Sequence, residues 1–455
     1  TDMLRIFVAI VVIVGLLILV ALQIEDTSSP MFSEIGTLVV DGNAEIVQAT
    51  PDGNVLVYTN SQRNSLDIVG LADPSSPSLL ASVELPGEPT SVAIGPKGNW
   101  ALAAVVVADT PDGVAPPDQR LPGVLAIVDI REPASAAVIS TIGIGHQPDS
   151  IAVSSSGYEL LAILAIENEP VVVADGLVTK DEGPGNDGDI SLPGAVQIVA
   201  VNPESPGNWS VATVELPASL LRDAQMLFSD DPQPEFVALS PGKHIVAVSL
   251  QENNGIVLID PVAHEVIGAF SLGQVMDRAA DLADDGDIDF SSTYPADAEE
   301  QALAGTRFPD AVAFSPDGQY ILSADEGELP LTGGRGFSIW ALDGTYAWDD
   351  RGEIEQLAAE AGLYPDERSA RKGIEIEGIT AGRIRNRDYA FAVSERGSFL
   401  VIYDITNPPA PEFVQLLPTG AGPEGVIVIP DRELVVVAAE ESGSLHIYQL
   451  IPDGS

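Results

Sequence analysis

The stretch 308-FPDAVAFSPDGQYILSADEGE-328 decides how the whole chain is read. A proline and an acid open it, an alternating apolar run follows, SPDG interrupts, and a second apolar run ends in more acids. Period-two alternation on both sides of a Pro/Asp/Gly turn is the pattern of a β-hairpin. The phrase recurs as "AEIVQATPDGNVLVYTN" from 44, "PTSVAIGPKGNWALAAV" from 89, "PDSIAVSSSGYELLAIL" from 148 and "PEFVALSPGKHIVAVSL" from 234. After the copy at 309 come "IEGITAGRIRNRDYAFAVSE" from 376 and "PEGVIVIPDRELVVVAAE" from 423, making seven.

Each hairpin is followed by a third strand, such as "GVLAIVDI", "GIVLIDP" or "SFLVIYDI", and most copies show a fourth, such as "SLLASVEL" or "EVIGAFSL". Four antiparallel strands repeated around an axis predict an all-β, seven-bladed β-propeller. The seventh copy stops after its third strand, at Leu450, while a spare strand, "SEIGTLVV" (33–40), lies near the start of the sequence. Pairing the two closes the ring and removes an open sheet edge. A sandwich array or a β-solenoid would hold as many strands but leaves that shortfall unexplained. The expected boundaries are an anchor at 1–23, a linker at 24–34, a propeller at 35–450 with blade 7 closed by strand 35–40, and a tail at 451–455.

At the third strands the wording becomes specific. "GSFLVIYDITNPPAPEFV" and "GVLAIVDIREPASAAVIS" resemble the LVIVD-type repeat of bacterial and archaeal surface proteins. "VMDRAADLADDGDIDFSS", "FPDAVAFSPDGQYILSADEGE", "DERSARKGIEIEGITAGRIRNRDYAFAVSERGSFLVIYDITNP" and "GPEGVIVIP" follow in the order found in choice-of-anchor I proteins, also described as mesenchyme-specific cell-surface glycoprotein-like. The resemblance spans about residues 35–450 and is strongest after 230. It implies an extracytoplasmic propeller carried by varied anchors. The family's looser phosphatase- or esterase-like descriptions imply a hydrolase as the alternative. An N-terminal anchor departs from the family's secreted pattern.

Such an anchor is what the first residues predict. Ile6 to Leu22 are 17 uninterrupted apolar or glycine residues, roughly 26 Å of helix at about 1.5 Å per residue and close to a hydrocarbon thickness. Arg5 precedes them and no Lys or Arg follows until Arg63. By the positive-inside rule the chain is single-pass, its N-terminus cytoplasmic and its propeller in the periplasm or outside the cell. The bilayer is then one partner, through residues 4–22. Lys and Arg number 20 against 68 Asp and Glu, a net charge of -48, which excludes nucleic acid and attracts cations and basic proteins. The same excess accompanies adaptation to high salt. Cysteine is absent, so thiolate nucleophiles, disulfides and Cys-type metal sites are excluded.

In a blade the first strand starts and the second ends on one face, so the acids at the two ends of the phrase are expected to meet there. Asp310 is expected beside Asp325 and Glu326, Asp149 beside Glu167, Glu235 beside Glu252, Glu377 beside Glu395, and Glu424 beside Glu440, with blades 1 and 2 lacking the pattern. Such a ring suits Ca²⁺ or another hard cation; the alternative is a set of solvated turn acids. The long segments 107–123, 168–194, 218–233, 272–306, 327–336 and 345–375 leave from the same mouth. Among them "DLADDGDIDF" partly fits an EF-hand loop counted from Asp281, lacking its third and twelfth ligands. It offers Asp284, Asp285, Asp287 and Asp289 to Ca²⁺ or serves as a plain acidic loop.

On the opposite face the turn "RIRNRD" carries Arg383, Arg385 and Arg387, either balancing nearby acids or docking lipid headgroups or an acidic subunit. Arg368, Arg371 and Lys372, near in sequence, are expected on the mouth side. Catalytic motifs are missing: His146, His244, His264 and His446 are scattered, and no GxSxG, HExxH or P-loop occurs. No catalytic residue and no organic cofactor is expected. The sequence therefore predicts a scaffold or accessory subunit of a larger membrane complex, with a metal-dependent phosphatase- or esterase-like hydrolase as the alternative.

Overall fold

The computed structural model describes residues 31–107, 121–156, 159–168, 171–174, 177–180, 193–205, 207–242, 245–298 and 302–451. Seven four-stranded antiparallel sheets are arranged as blades. The innermost strands, blades 1 to 7, are Val47–Ala49, Glu88–Ile94, Pro148–Ser156, Pro234–Leu239, Val312–Phe314, Ile376–Ile384 and Pro423–Ile429. The outermost are Ser78–Glu84, Ala137–Gly143, Trp209–Glu215, Glu265–Ser271, Tyr346–Asp349, Glu412–Pro418 and Met31–Val39.

Middle strands are apolar on both sides because both sides are buried. In blade 1, Leu56 and Tyr58 pack toward blade 7 while Val57 packs toward blade 2. In blade 3, Leu160, Ala162 and Leu164 face blade 2, and Leu161, Ile163 and Ala165 face blade 4. This explains continuous runs such as "ELLAILAI" where a half-exposed sheet would alternate. Each of the seven blade-to-blade spaces holds one such cluster, including the space between blades 7 and 1.

Strand Met31–Val39 lies antiparallel to Ser444–Ile451, with Thr37 opposite His446 and Val39 opposite Ser444. It begins before residue 35, the expected start, because Phe32 belongs to the core between blades 6 and 7, edge-on to Tyr389 and Phe391 at 5.6 and 5.5 Å. Residues 31–34, read as linker, are therefore sheet. Blade 5 has an outer strand, Tyr346–Asp349, inside the stretch read as a loop. At four residues it is too short for its period to show, and it is held by Trp348 against Phe337 and Tyr403 at 5.1 and 5.6 Å.

The inserted elements leave from the face where the innermost strands begin. They include helix Ala218–Asp223, the hairpin Arg278–Ala280/Ser292–Tyr294 and helix Glu353–Ala361. The last is bounded by Gly352 and Gly362, both at positive φ, and buries Ile354 and Ala358, one turn apart, in the core of blades 5 and 6. Arg335 lashes the second and third of these together. Fully buried, it donates to the carbonyls of Asp281 (3.0 Å) and Ser369 (2.7 Å), pairs with the buried Glu355 (3.3 Å), and lies over the Tyr294 ring. No helix among the described residues is long and apolar enough to cross a membrane. The anchor read at 1–23, with its span 4–22, lies outside the described residues.

Phe32→Ala should lower the unfolding free energy by about 3–5 kcal/mol in a urea titration, since Phe32 sits in a blade-to-blade core. Arg335→Ala should cost about 3–5 kcal/mol by leaving Glu355 buried without its cation, and limited proteolysis should then cut first in the inserted elements.

Candidate functional site: an acidic ring at the channel mouth

The second residue of each innermost-strand phrase stands at one level of the channel: Glu45, Thr90, Asp149, Glu235, Asp310, Glu377 and Glu424. The backbone explains why. In blades 2, 3, 4, 6 and 7 the register shifts at this point, between Pro89 and Ser91, Pro148 and Ile151, Pro234 and Val237, Ile376 and Gly378, and Pro423 and Gly425. In blades 1 and 5 two residues likewise face one: Thr59 is bonded to Glu45 and Ile46, and Ala324 to Asp310 and Ala311. A bulge breaks the alternation and re-aims a side chain, so each blade turns this residue toward the axis. The bulges also press on one another. A Cβ on Gly378 would collide with the Glu424 carbonyl, and one on Gly425 with the Glu45 carbonyl.

Six of the seven positions are therefore acidic. Blade 2 has Thr90, whose hydroxyl donates to the Pro148 carbonyl (2.8 Å). Blade 1, read as lacking the pattern, supplies Glu45; the match of "AEIV" to "PEFV" and "PEGV" is the signal that marks it. From the ends of second strands come Glu326, Glu395 and Glu440, and Glu375 joins from the loop before blade 6. Three triads bring carboxylate oxygens within 4.8 Å of one another: Glu167, Glu235 and Glu252; Glu326, Glu375 and Glu395; Glu377, Glu395 and Glu424. The cavity between them measures ≈ 230 Å³, and below it the channel is lined by apolar residues such as Ile151, Phe236 and Val312.

Crowding and burial govern the titration. Burial pushes Glu45 up to about 8, with Glu440 adding to the shift, and Glu395 up to about 7 against the pull of Arg396. Burial first and then neighbouring acids raise Glu235, Asp310, Glu377 and Glu424 well above the usual carboxylate range. Two cations reach the ring beside blades 5 and 6. Lys372 pairs with Glu326 and Glu375, and Arg396 with Glu395 (2.9 Å) and Glu375 (3.6 Å). Such a ring can hold protons, a hard cation bound by carboxylate oxygens, or the cationic group of a partner.

Some expected residues are placed elsewhere. Asp325 turns into blade 5, because strand Tyr320–Asp325 alternates and its last side chain meets Arg307 (3.2 Å) and the Ser323 hydroxyl (2.6 Å). Burial pushes it up to about 6 despite Arg307. Asp284, Asp285, Asp287 and Asp289 stay exposed and join none of the triads found among the described residues. Asp285 accepts the Asp287 N–H and Asp289 the Ser291 hydroxyl, as turn acids do. On the opposite face Arg383, Arg385 and Arg387 are each paired, with Asp388 (2.6 Å), Glu433 (2.8 Å) and Asp404 (2.6 Å).

A hydrogen-bonded chain of Ser, His and Glu does occur: His446 Nε2 lies 3.0 Å from Ser444 Oγ, and Nδ1 lies 2.8 Å from Glu34 Oε1. Ser444 is only 4% exposed, and Gly420 presses so closely on it that a Cβ there would strike both Ser444 Oγ and His446 Nε2. The Ser444 hydroxyl is thus enclosed by Gly420, Ser442 (2.7 Å) and His446. The chain of bonds clamps the closing strand to blade 7, and no sequence signal marks it, since Glu34 and His446 meet only through ring closure.

A carboxyl whose folded pKa lies above its unfolded value binds its proton better when folded, so it stabilises most below the unfolded value and loses that effect as pH rises through the folded one. In chelator, the unfolding free energy should therefore fall between pH 4.5 and about 8, the window set by Glu45 and Glu395. Glu45→Gln should flatten the fall, as read by urea unfolding at several pH values.

A family model for the choice-of-anchor I domain matches residues 45–328 and 328–408, most of the chain. A search of curated proteins returns no match. Solved structures share the fold at low identity. The β-propeller domain of Myceliophteria thermophila Cps50 (Swd1) is 10% identical with a TM-score of 0.55, covering 92% of this chain and 100% of that one. Hydrazine synthase of Kuenenia stuttgartiensis is 14% identical with a TM-score of 0.52, covering 90% and 96%. The RRP9 WD40 repeats are 11% identical with a TM-score of 0.55, covering 92% and 100%. These likenesses speak for the propeller, and the match to the family model for its lineage: the chain belongs to the choice-of-anchor I domain family.

Proposed function

We propose that this propeller is a membrane-tethered interaction module outside the cytoplasm, an accessory subunit that receives a positively charged partner at its acidic mouth. The observation that carries the reading is the division of labour between the two faces. The carboxylate ring and the inserted elements share one face. The closing strand starts at Met31, opposite Ile451, at the far end of the blade from the Ser444 turn and so on the other face. A chain running from Ile6–Leu22 into Met31 turns the plain face to the bilayer and the mouth toward a second protein. Arg5 before the apolar run and the absence of cations up to Arg63 favour a cytoplasmic N-terminus, with the propeller in the periplasm or outside the cell.

On the bilayer side, Arg383, Arg385 and Arg387 with their acids form a mixed-charge surface that can exchange internal ion pairs for headgroups or for an acidic subunit. A mouth of like charges draws a basic surface by long-range attraction, and salt weakens it. After gentle solubilisation the chain should co-purify with another membrane protein, and the complex should dissociate as salt is raised. Recovery of the chain without a partner protein overturns the reading. The hydrolase alternative is tested on phosphomonoesters with and without EDTA. No turnover is expected, and chelator-sensitive turnover would put the hydrolase in its place.

A further inference from the structure

The seven outer edges are not alike. In blades 1, 2, 4, 5, 6 and 7 the outermost strand carries a register shift against its neighbour, at Ile68/Val69, Ile127/Val128, Leu258/Ile259, Ile339/Trp340, Ile402/Tyr403 and Glu34/Gly36. Bulges of this kind twist an edge away from incoming strands, and natural sheets use them to stay unpaired. Blade 3 alone among these has none. Trp209–Glu215 pairs with Ala195–Val201 without interruption over all seven residues. Its sequence, WSVATVE, holds no Pro, Lys or Arg, the other devices that blunt an edge.

We infer that this edge docks a second copy of the chain, the two Trp209–Glu215 strands running antiparallel about Ala212 so that one sheet continues across both molecules. The strand is complementary to itself in that register. Trp209 falls opposite the partner's Glu215, Ser210 opposite Val214, Val211 opposite Thr213, and Ala212 opposite its own copy. The strand's single charge lies at its end, so no like charges face each other, the arrangement that would be destabilising. The register also gives Trp209 somewhere to go. It is 49% exposed and shares with Val211, Thr213 and Glu215 the side of the sheet that packs toward blade 2, so in this register it lies over the partner's Thr213 and Glu215 on that side. A rigid, exposed aromatic covered in this way is a usual anchor of an interface.

Twist makes the pairing compatible with a single bilayer. Neighbouring strands rotate by about 20–25°, so three steps carry the outer strand about 60–75° away from the channel-lining one. The two-fold axis, normal to the sheet at its edge, then runs nearly along the channel. Both mouths face the same way, and both closing strands start on the same side.

The net charge of -48 opposes association at low ionic strength, and salt removes that opposition, the screening length falling from about 10 Å at 0.1 M to about 3 Å at 1 M. The dimer thus strengthens with salt, whereas docking at the acidic mouth weakens with it, so the two readings fail separately. The test is sedimentation velocity on the purified full chain at about 0.1 and about 2 M NaCl, with hydrogen exchange under the same conditions. The expected result is dimerisation at least about tenfold tighter at the higher salt, with slowed exchange at Trp209–Glu215. Trp209→Ala should weaken it, and Val211→Lys with Thr213→Lys, which sets lysines opposite one another, should abolish it. A chain that stays monomeric at high salt overturns the inference, as does a dimer indifferent to all three substitutions. Because exchange is read on the unaltered chain, a variant that fails to fold leaves the inference decidable: unchanged exchange at Trp209–Glu215 on dimerisation overturns it.

Discussion

Both faces of every blade are apolar, and this fixes most of what the chain can do. A sheet with Leu56 and Tyr58 on one side and Val57 on the other cannot present either side to water, so a blade is stable only between two others. The requirement passes around the circle and is met only when the last blade meets the first. Burying a large aliphatic or aromatic side chain stabilises by about 1.5–3 kcal/mol, and each interblade space holds eight or more buried apolar residues. Opening any one space exposes two faces at once.

The same packing produces the functional surface. Pulling seven innermost strands around an axis brings seven bulged residues to one level, and in this chain six are carboxylates. Spread over a flat surface these acids would be ordinary solvated groups. Held on a ring with apolar residues below, they lose water and gain like-charged neighbours, which is why Glu377 and Glu424 cling to protons. Gly378 and Gly425 belong to this geometry as much as the acids do, since they let adjoining bulges approach closely enough to crowd the carboxylates.

What could be read from the sequence was what repeats. Hairpin period, turn chemistry and the missing seventh strand are local patterns, and the position of Asp310 or Glu424 follows from them. Glu45 escaped because its copy ends its second strand in Thr59 and Asn60, polar but uncharged, so it shows no pair of acids. Asp325 was misplaced because a one-residue difference on a strand changes the face, and only the partner Arg307, from the insertion before blade 5, shows which face wins. The Arg335–Glu355 pair and the clamp of Glu34, His446 and Ser444 join residues with no common pattern. They are properties of the folded ring.

The clamp also bears on how the molecule comes into being. Glu34 and His446 are 412 positions apart, so the contact that completes the last blade joins the two ends of the propeller. Contacts of such separation form late, because the intervening chain must first be ordered. Until then the strand Met31–Val39 has no partner and blade 7 shows a vacant edge beside Ser444. During that interval any extended segment of similar pattern competes for the vacancy, the matching strand of a neighbouring nascent molecule included. The ring's architecture therefore makes the timing of synthesis, and the company a half-made chain keeps, part of its folding problem.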